Sequence, residues 1–375
     1  MRCAIIHYWL LGMRGGEKVI ESLCRLFPEA DIYTLFYDAS RVSPLITSHR
    51  VTASFLNPFK GQYRSLLPLM PLALESWDLR DYDLIISSES GPAKGVIVPS
   101  RARHICYCHS PMRYLWDLYP GYRNEWTHSP VKRMLMVPLS NYLRVWDYAS
   151  AARVDEFVAN SRNVEQRIWK TYRRRSEVIY PPVAVNSFVN KPAEDYYLVV
   201  SELVAYKRIG DAVRGLAKIG RRLKVVGDGP EYKALKALAG GSVEFCGRVA
   251  DFELRELYAR CRAVLLPGEE DFGIVPVEAI ASGKPVIALG CGGVLESVPQ
   301  RNPQAGFFYD EPGAEHLMAA VEQFEREEAR LSSAAIQRSA QRFSEMRFES
   351  EMRRLIFANL QKVDTSPTTM EVTAS

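Results

Sequence analysis

The stretch from residue 261 to 298, CRAVLLPGEEDFGIVPVEAIASGKPVIALGCGGVLESV, constrains the fold more than any other part of the chain. Val264-Leu265-Leu266 is a short apolar run stopped by Pro267-Gly268, which predicts a buried strand. Pro276 suits a first helical turn, where its missing N–H costs little, and Gly283 suits the exit. Pro285 prevents the helix from continuing, and Pro285 to Ala288 reads as the next strand. Strand, loop, helix, strand puts the loop at a strand's carboxyl end, the ligand side of an open α/β sheet. Backbone N–H groups around Phe272, Gly273 and Ile274 lack partners within the helix and can meet sugar or phosphate oxygens. Glu270 stands just before the predicted helix and Glu278 about two turns inside it. That spacing separates the carboxylates by ~12 Å along the axis. They are too far apart to share one reacting atom, but can hold two ends of an extended ligand. The acidic cluster Glu269-Glu270-Asp271 reads otherwise as a solvated helix start.

The rest of the chain repeats this rhythm. Cys3 to Ile6 reads as the first strand, followed by a loop with Gly15-Gly16 and a helix from Glu17 to Phe27. Gly16 would let a phosphate or sugar approach a helix N-terminus closely. A plain tight turn is the competing reading. Asp83 to Ser88 and His104 to Cys108 are further strands, and His109 falls at a carboxyl end, as does His7. Phe157 to Ser161 closes the first sheet, Asn160-Ser161 caps the helix that follows, and Arg173-Arg174-Arg175 is its solvated end. Ile179-Tyr180-Pro181-Pro182-Val183 reads as a stiff linker, dividing 1–180 from 181–342. In the second unit Lys207 and Arg208 stand at a strand-to-helix junction, where they can neutralise a diphosphate. Gly227 and Gly229 follow another strand and allow close backbone approach. Val243 to Val249, with Arg248, is a strand and turn.

Composition excludes several classes. A chain of 375 residues, 47% hydrophobic and 25% charged, is an ordinary globular protein long enough for two domains. No apolar run reaches membrane-spanning length, and the cysteines lack zinc spacing; Cys106 and Cys108 are expected as buried thiols. A net charge of +4 with no basic and stacking module argues against nucleic acid. Asp81 and Asp83 flank Tyr82 ahead of a buried strand rather than forming a metal loop. Two stretches mix basic and apolar side chains: 55–72, and 101–137 with Arg113, Trp116, Glu125, Trp126, Lys132, Arg133 and Met134 to Val137. Each reads either as a membrane-facing surface or as a core helix or solvated basic face.

Glu270, seven residues, then Glu278, set in EEDFGIVPVEAIASGKPVIA with Gly292-Gly293 in register, resembles the signature of retaining nucleotide-sugar glycosyltransferases of family 4. The resemblance runs over nearly the whole chain and implies an α/β GT-B fold: two Rossmann-like doubly wound domains facing across a cleft. It implies that the 343–362 helix crosses back onto the first domain; 363–375 is expected to be a disordered tail. By that likeness the donor lies on the second domain and the acceptor on the first. Lys207 and Arg208 would meet the diphosphate, Glu270 the sugar hydroxyls, Glu278 the ribose, and His109 the sugar or acceptor. Gly15, Gly16, Gly227, Gly229 and Arg248 would border the donor. Where many members carry arginine, this chain has Glu202. The stretches CHSPMRYLWD, ANSRNVEQRI and LVAYKRIGDAV are most similar to bacterial surface-polysaccharide (O-antigen) mannosyltransferases. They imply GDP-mannose as donor, a glycan or polyprenyl-linked acceptor, and neither cofactor nor metal. The expected place is the cytoplasm, with peripheral contact at the inner membrane. A UDP-sugar transferase, a GT-B nucleotide-sugar 2-epimerase and a non-catalytic nucleotide-sugar-binding subunit are the alternatives.

Overall fold

The computed structural model describes residues 1–124 and 129–364. Glu125, Trp126 and the tail beyond Asp364 lie outside the described residues. Seven strands form the first sheet: β1 (Cys3–His7), β2 (Asp31–Thr34), β3 (Val51–Ala53), β4 (Leu84–Glu89), β5 (Arg103–Cys108), β6 (Glu156–Ala159) and β7 (Ser176–Val178). Their order is β3-β2-β1-β4-β5-β6-β7. Six more form the second: β8 (Tyr197–Val200), β9 (Leu223–Val226), β10 (Val243–Gly247), β11 (Val264–Leu266), β12 (Val286–Leu289) and β13 (Gly306–Tyr309). Their order is β10-β9-β8-β11-β12-β13. Every described pairing is parallel. Helices cover both faces, so the central strands are apolar along their whole length, as Val286–Leu289 is.

Two strands were not expected. β7 extends the first sheet beyond β6, and β3 lies at the opposite edge. An edge strand pairs on one side only and needs no continuous apolar run, so Ser-Glu-Val and Val-Thr-Ala carry little signal. In the Arg173-Arg174-Arg175 run, Arg173 and Arg175 are exposed at the helix end, as expected, and Arg174 alone departs. The Arg174 guanidinium donates to the Ala151 and Val154 carbonyls at 2.9 and 2.7 Å and lies over the Phe157 ring.

The final helix, Glu345–Asp364, returns to the first sheet. Its Phe348, Met352, Leu355 and Ile356 are buried with Ile5, Ile86 and Tyr107. The helix extends two residues past the expected end at 362. Cys106 and Cys108 are buried free thiols.

The Pro130–Ser150 helix is inverted. It buries Ser140, Leu143, Asp147 and Ser150. Asp147 is held in the interior by Lys94, Trp116 Nε1 (2.8 Å) and Tyr172 Oη (2.9 Å), and Lys94 also reaches Glu89 at 3.3 Å. With that polar cluster inside, Val131, Met134, Leu135, Tyr142, Val145 and Tyr148 face outward. Phe55, Phe59, Leu69 and Leu72 of the 55–72 stretch are also exposed. Asn57–Leu69 there is a run of 3₁₀ turns followed by a short helix, Met70–Glu75, because Pro58, Pro68 and Pro71 prevent one long helix.

Candidate active site at the two switch points

Each sheet reverses direction once, between β1 and β4 and between β8 and β11. Loops leaving neighbouring strands diverge there, and open α/β sheets bind ligands in the resulting crevice. His7, Gly15, Gly16 and His109 lie at the first of these points and Lys207, Arg208, Glu270 and Glu278 at the second, whereas Gly227, Gly229 and Arg248 lie on the loops after β9 and β10.

At the first, His7 ends β1 and is fully buried, with Nδ1 3.1 Å from the Ser88 carbonyl oxygen. The His7 Nε2 has no hydrogen-bond partner and lies 3.9 Å from Glu17. Gly15 and Gly16 open the Gly15–Leu26 helix above it. A Cβ on Gly16 would stand 3.0 Å from Tyr8 Oη, 3.3 Å from His7 Cε1 and 3.7 Å from His109 Nε2. The glycine is therefore what lets this helix start sit on the two histidines. His109 follows β5, with Nε2 2.9 Å from Ser88 Oγ and its N–H donating to the Glu89 carbonyl at 2.7 Å. Burial, with His7 close by, lowers its pKa to about 3. A neutral imidazole can orient a hydroxyl, and it is not a cation at neutral pH.

At the second, Lys207 Nζ lies 2.6 Å from Glu270 Oε1, with side chains 16% and 20% exposed. Burial pushes the lysine pKa down, but the adjacent Glu270 carboxylate outweighs it and holds the ammonium charged. Glu270 lies in the loop between β11 and the Ile274–Ala281 helix. That helix begins after Gly273, at φ 87°. Glu278 is therefore little more than one turn inside it, not two; residues 270–273 form a loop and contribute no helical rise. Glu278 accepts from Tyr258 Oη at 2.8 Å, and burial raises its pKa to about 7. The Phe272 side chain is core, stacked on Tyr180 and edge-on to Phe343, so only its backbone is available to a ligand. Arg208 adopts φ 53° and lies 3.6 Å from Asp211. A cavity of about 610 Å³ opens beside the loops, lined by Tyr206, Arg208, Asp211, Arg214, Glu269 and Cys291 but not by Lys207 or Glu270. Gly227 and Gly229 are backbone against backbone: their Cβ positions fall 1.9 Å from Ser201 O and 2.4 Å from Leu203 O. Arg248 is exposed on the rim, 3.7 Å from Asp228. Asp81 and Asp83 both pair with the Arg2 end of the chain.

The two switch points meet. A Cβ on Gly15 would stand 2.5 Å from Ile274 Cδ1, so the two helix starts touch across the cleft. Four charged side chains bind them further. Arg113 donates to Glu269 Oε2 and Asp271 Oδ1, both at 3.0 Å, and Arg167 donates to the same two acids. Arg113 was expected on a basic outer surface; its side chain is 12% exposed and faces the cleft. Glu269 and Asp271, expected as solvated acids, flank Glu270 and fix it from both sides. Ser161, besides capping its helix at Val164 N–H (3.1 Å), donates to the Asp271 carbonyl at 2.7 Å. Glu296 accepts from the Arg162 and Asn163 N–H groups at 2.8 and 2.9 Å. None of these partners has a local sequence signal; arginines on one half and acids on the other are the only hint.

Residues 13–187 match the Glycosyltransferase Family 4 domain, and residues 185–342 match the domain of Glycosyl transferases group 1. The chain belongs to the glycosyltransferases, with these two domains in tandem. It is 26% identical over 317 residues to the alpha-1,3/1,6-mannosyltransferase ALG2 of Mus musculus, covering 72% of each chain. It is 31% identical over 159 residues to the O-antigen chain mannosyltransferase RfbU of Salmonella typhimurium, covering 39% of this chain and 45% of that one. Among solved structures, Anabaena HepE in complex with UDP-glucose superposes with a TM-score of 0.72 at 19% identity, over 96% of this chain and all (100%) of that one. The sucrose-phosphate synthase of Thermosynechococcus elongatus gives 0.71 at 16% identity, over 96% and 100%. At those identities the structures establish the GT-B fold.

Proposed function

We propose that this chain transfers a hexose, mannose from GDP-mannose in the first instance, to a lipid-linked or growing surface glycan with retained anomeric configuration. The observation that carries the reading is the meeting of the two switch points, Lys207 and Glu270 on one side and Gly15, Gly16 and His109 on the other. The mannosyltransferase names of ALG2 and RfbU support the sugar. In the reaction the bond from the anomeric carbon to the diphosphate oxygen breaks. The acceptor oxygen bonds to that carbon on the same face, and its proton passes to the departing phosphate oxygen. Lys207, Arg208 and the N–H groups at the Ile274 helix start take up the charge that develops on the diphosphate. Glu270 accepts from sugar hydroxyls, Glu278 from the ribose, and neutral His109 orients the sugar or acceptor. Gly227, Gly229 and Arg248 border the nucleoside.

The partition into domains at 1–180 and 181–342 follows this division of labour. The outward apolar stripe from Val131 to Tyr148, with Lys132 beside it, supports peripheral docking on an anionic cytoplasmic membrane face, where a lipid-linked acceptor resides. No described helix is long and apolar enough to cross a membrane.

The test is turnover of the purified chain with GDP- and UDP-sugars and a lipid-linked glycan acceptor. A new glycosidic bond from GDP-mannose supports the reading, and transfer from a UDP-sugar alone replaces the donor. An isomerised donor means an epimerase, and binding without turnover means a non-catalytic subunit; either outcome rejects the proposal.

A further inference from the structure

Glu202 lies in the loop between β8 and the Ile209–Lys218 helix, five residues before Lys207. An acid beside a diphosphate site opposes the ligand, so something must offset it. Two arginines from the other half do so. Arg14 Nη1 lies 3.2 Å from Glu202 Oε2, and Arg64 Nη2 lies 3.1 Å from Glu202 Oε1. Arg14 immediately precedes Gly15, which touches Ile274 at the start of the second half's helix. Its backbone N–H is fixed by Glu17 Oε2 at 3.0 Å. The side chain thus spans from the Ile274 helix start to the loop that carries Lys207. Arg64 approaches from the 3₁₀ segment, where it also stands over the Tyr63 ring.

We propose that Arg14 is a donor-binding residue: it supplies, from the first half, the cation that contacts the donor diphosphate, with Glu202 as the acidic partner that holds it over the site. The inference rests on the reading of Lys207 and the Ile274 helix start as the diphosphate site. Arg14 is 55% exposed and Glu202 34%, and an exposed ion pair contributes little. A guanidinium so loosely held turns readily to a doubly charged diphosphate, which it can grip with two parallel N–H bonds. One consequence follows for assembly. The cation belongs to one half and Lys207 to the other, so the diphosphate site is complete only when the halves are together.

The test is calorimetric titration of GDP and UDP into the wild type, Arg14→Ala, the double variant Arg14→Ala/Glu202→Arg, and Lys207→Ala as reference. Both changed positions are partly exposed, so the variants are expected to fold. Arg14→Ala is expected to weaken the preferred diphosphate about tenfold, as for loss of a charge-assisted contact. The double variant returns the cation to the Lys207 loop and should recover to within about threefold of wild type. A merely structural Arg14–Glu202 tie predicts that Arg14→Ala leaves the affinity for GDP and UDP unchanged. A loss below about fivefold in Arg14→Ala, or no recovery in the double variant, overturns the proposal. If the wild type binds neither GDP nor UDP, the donor-site reading fails first, and this inference with it.

Discussion

Replacing Arg113 by alanine tests the idea that the cleft is held in register by ion pairs rather than by shape. Arg113 makes two 3.0 Å bonds across the cleft, to Glu269 and Asp271, and a third of 3.0 Å to the more exposed Asp117 on its own half, from a side chain 12% exposed and so little screened by water. Charge-assisted hydrogen bonds contribute roughly 1.5–3 kcal/mol each. Arg167 still faces both acids in the variant, so about one bond's worth is lost outright, roughly 2–3 kcal/mol. If that energy fixes Glu270 for the transfer step, kcat/KM falls roughly 30- to 140-fold, at about 1.4 kcal/mol per factor of ten. The decline should fall mainly on kcat, because Lys207 and the helix start remain for the diphosphate. Arg113→Lys keeps the charge without the fork and should lie between the two. The measurement is steady-state transfer with donor varied, with the variant's fold checked by circular dichroism. A folded Arg113→Ala enzyme with kcat/KM within about threefold of wild type would refute the reasoning.

Lys207→Ala and Glu270→Ala should each abolish measurable transfer while staying folded; near-normal turnover in either removes that residue from the site. His109→Ala should lower kcat with donor affinity largely kept, and unchanged kinetics would leave the histidine a structural role next to Ser88. Gly227→Ala should destabilise by several kcal/mol, read as a fall in the urea midpoint, because φ is 132° and its Cβ would overlap Ser201 O; an unshifted midpoint refutes the packing. Burial raises the Glu278 pKa from 4.5 to about 7, so the folded state holds that proton more tightly. The resulting stability is fully present below pH 4.5 and is lost as pH rises through about 7. It amounts to roughly 3 kcal/mol at about 1.4 kcal/mol per pH unit. The difference in unfolding free energy between wild type and Glu278→Gln should therefore change between pH 5 and 8, and a flat difference contradicts the assignment.

The return of the last helix followed from the family resemblance; the sequence by itself determined the two-sheet architecture and the position of the Glu270 loop. Those features rest on local causes: apolar runs of strand length, prolines and glycines that stop them, and a carboxyl-end loop after each strand. It missed β3 and β7, since each is an edge strand of only 3 residues and leaves no run to read. Tertiary structure alone decided the inverted Pro130–Ser150 helix, whose Asp147 turns inward only because Lys94, Trp116 and Tyr172 surround it. It alone paired Arg113 with Asp271, 158 residues apart, and Arg14 with Glu202, 188 apart. An ion pair leaves no periodicity in the chain; its partners are chosen by where the fold brings opposite charges within reach, and that is settled only when the two sheets face each other.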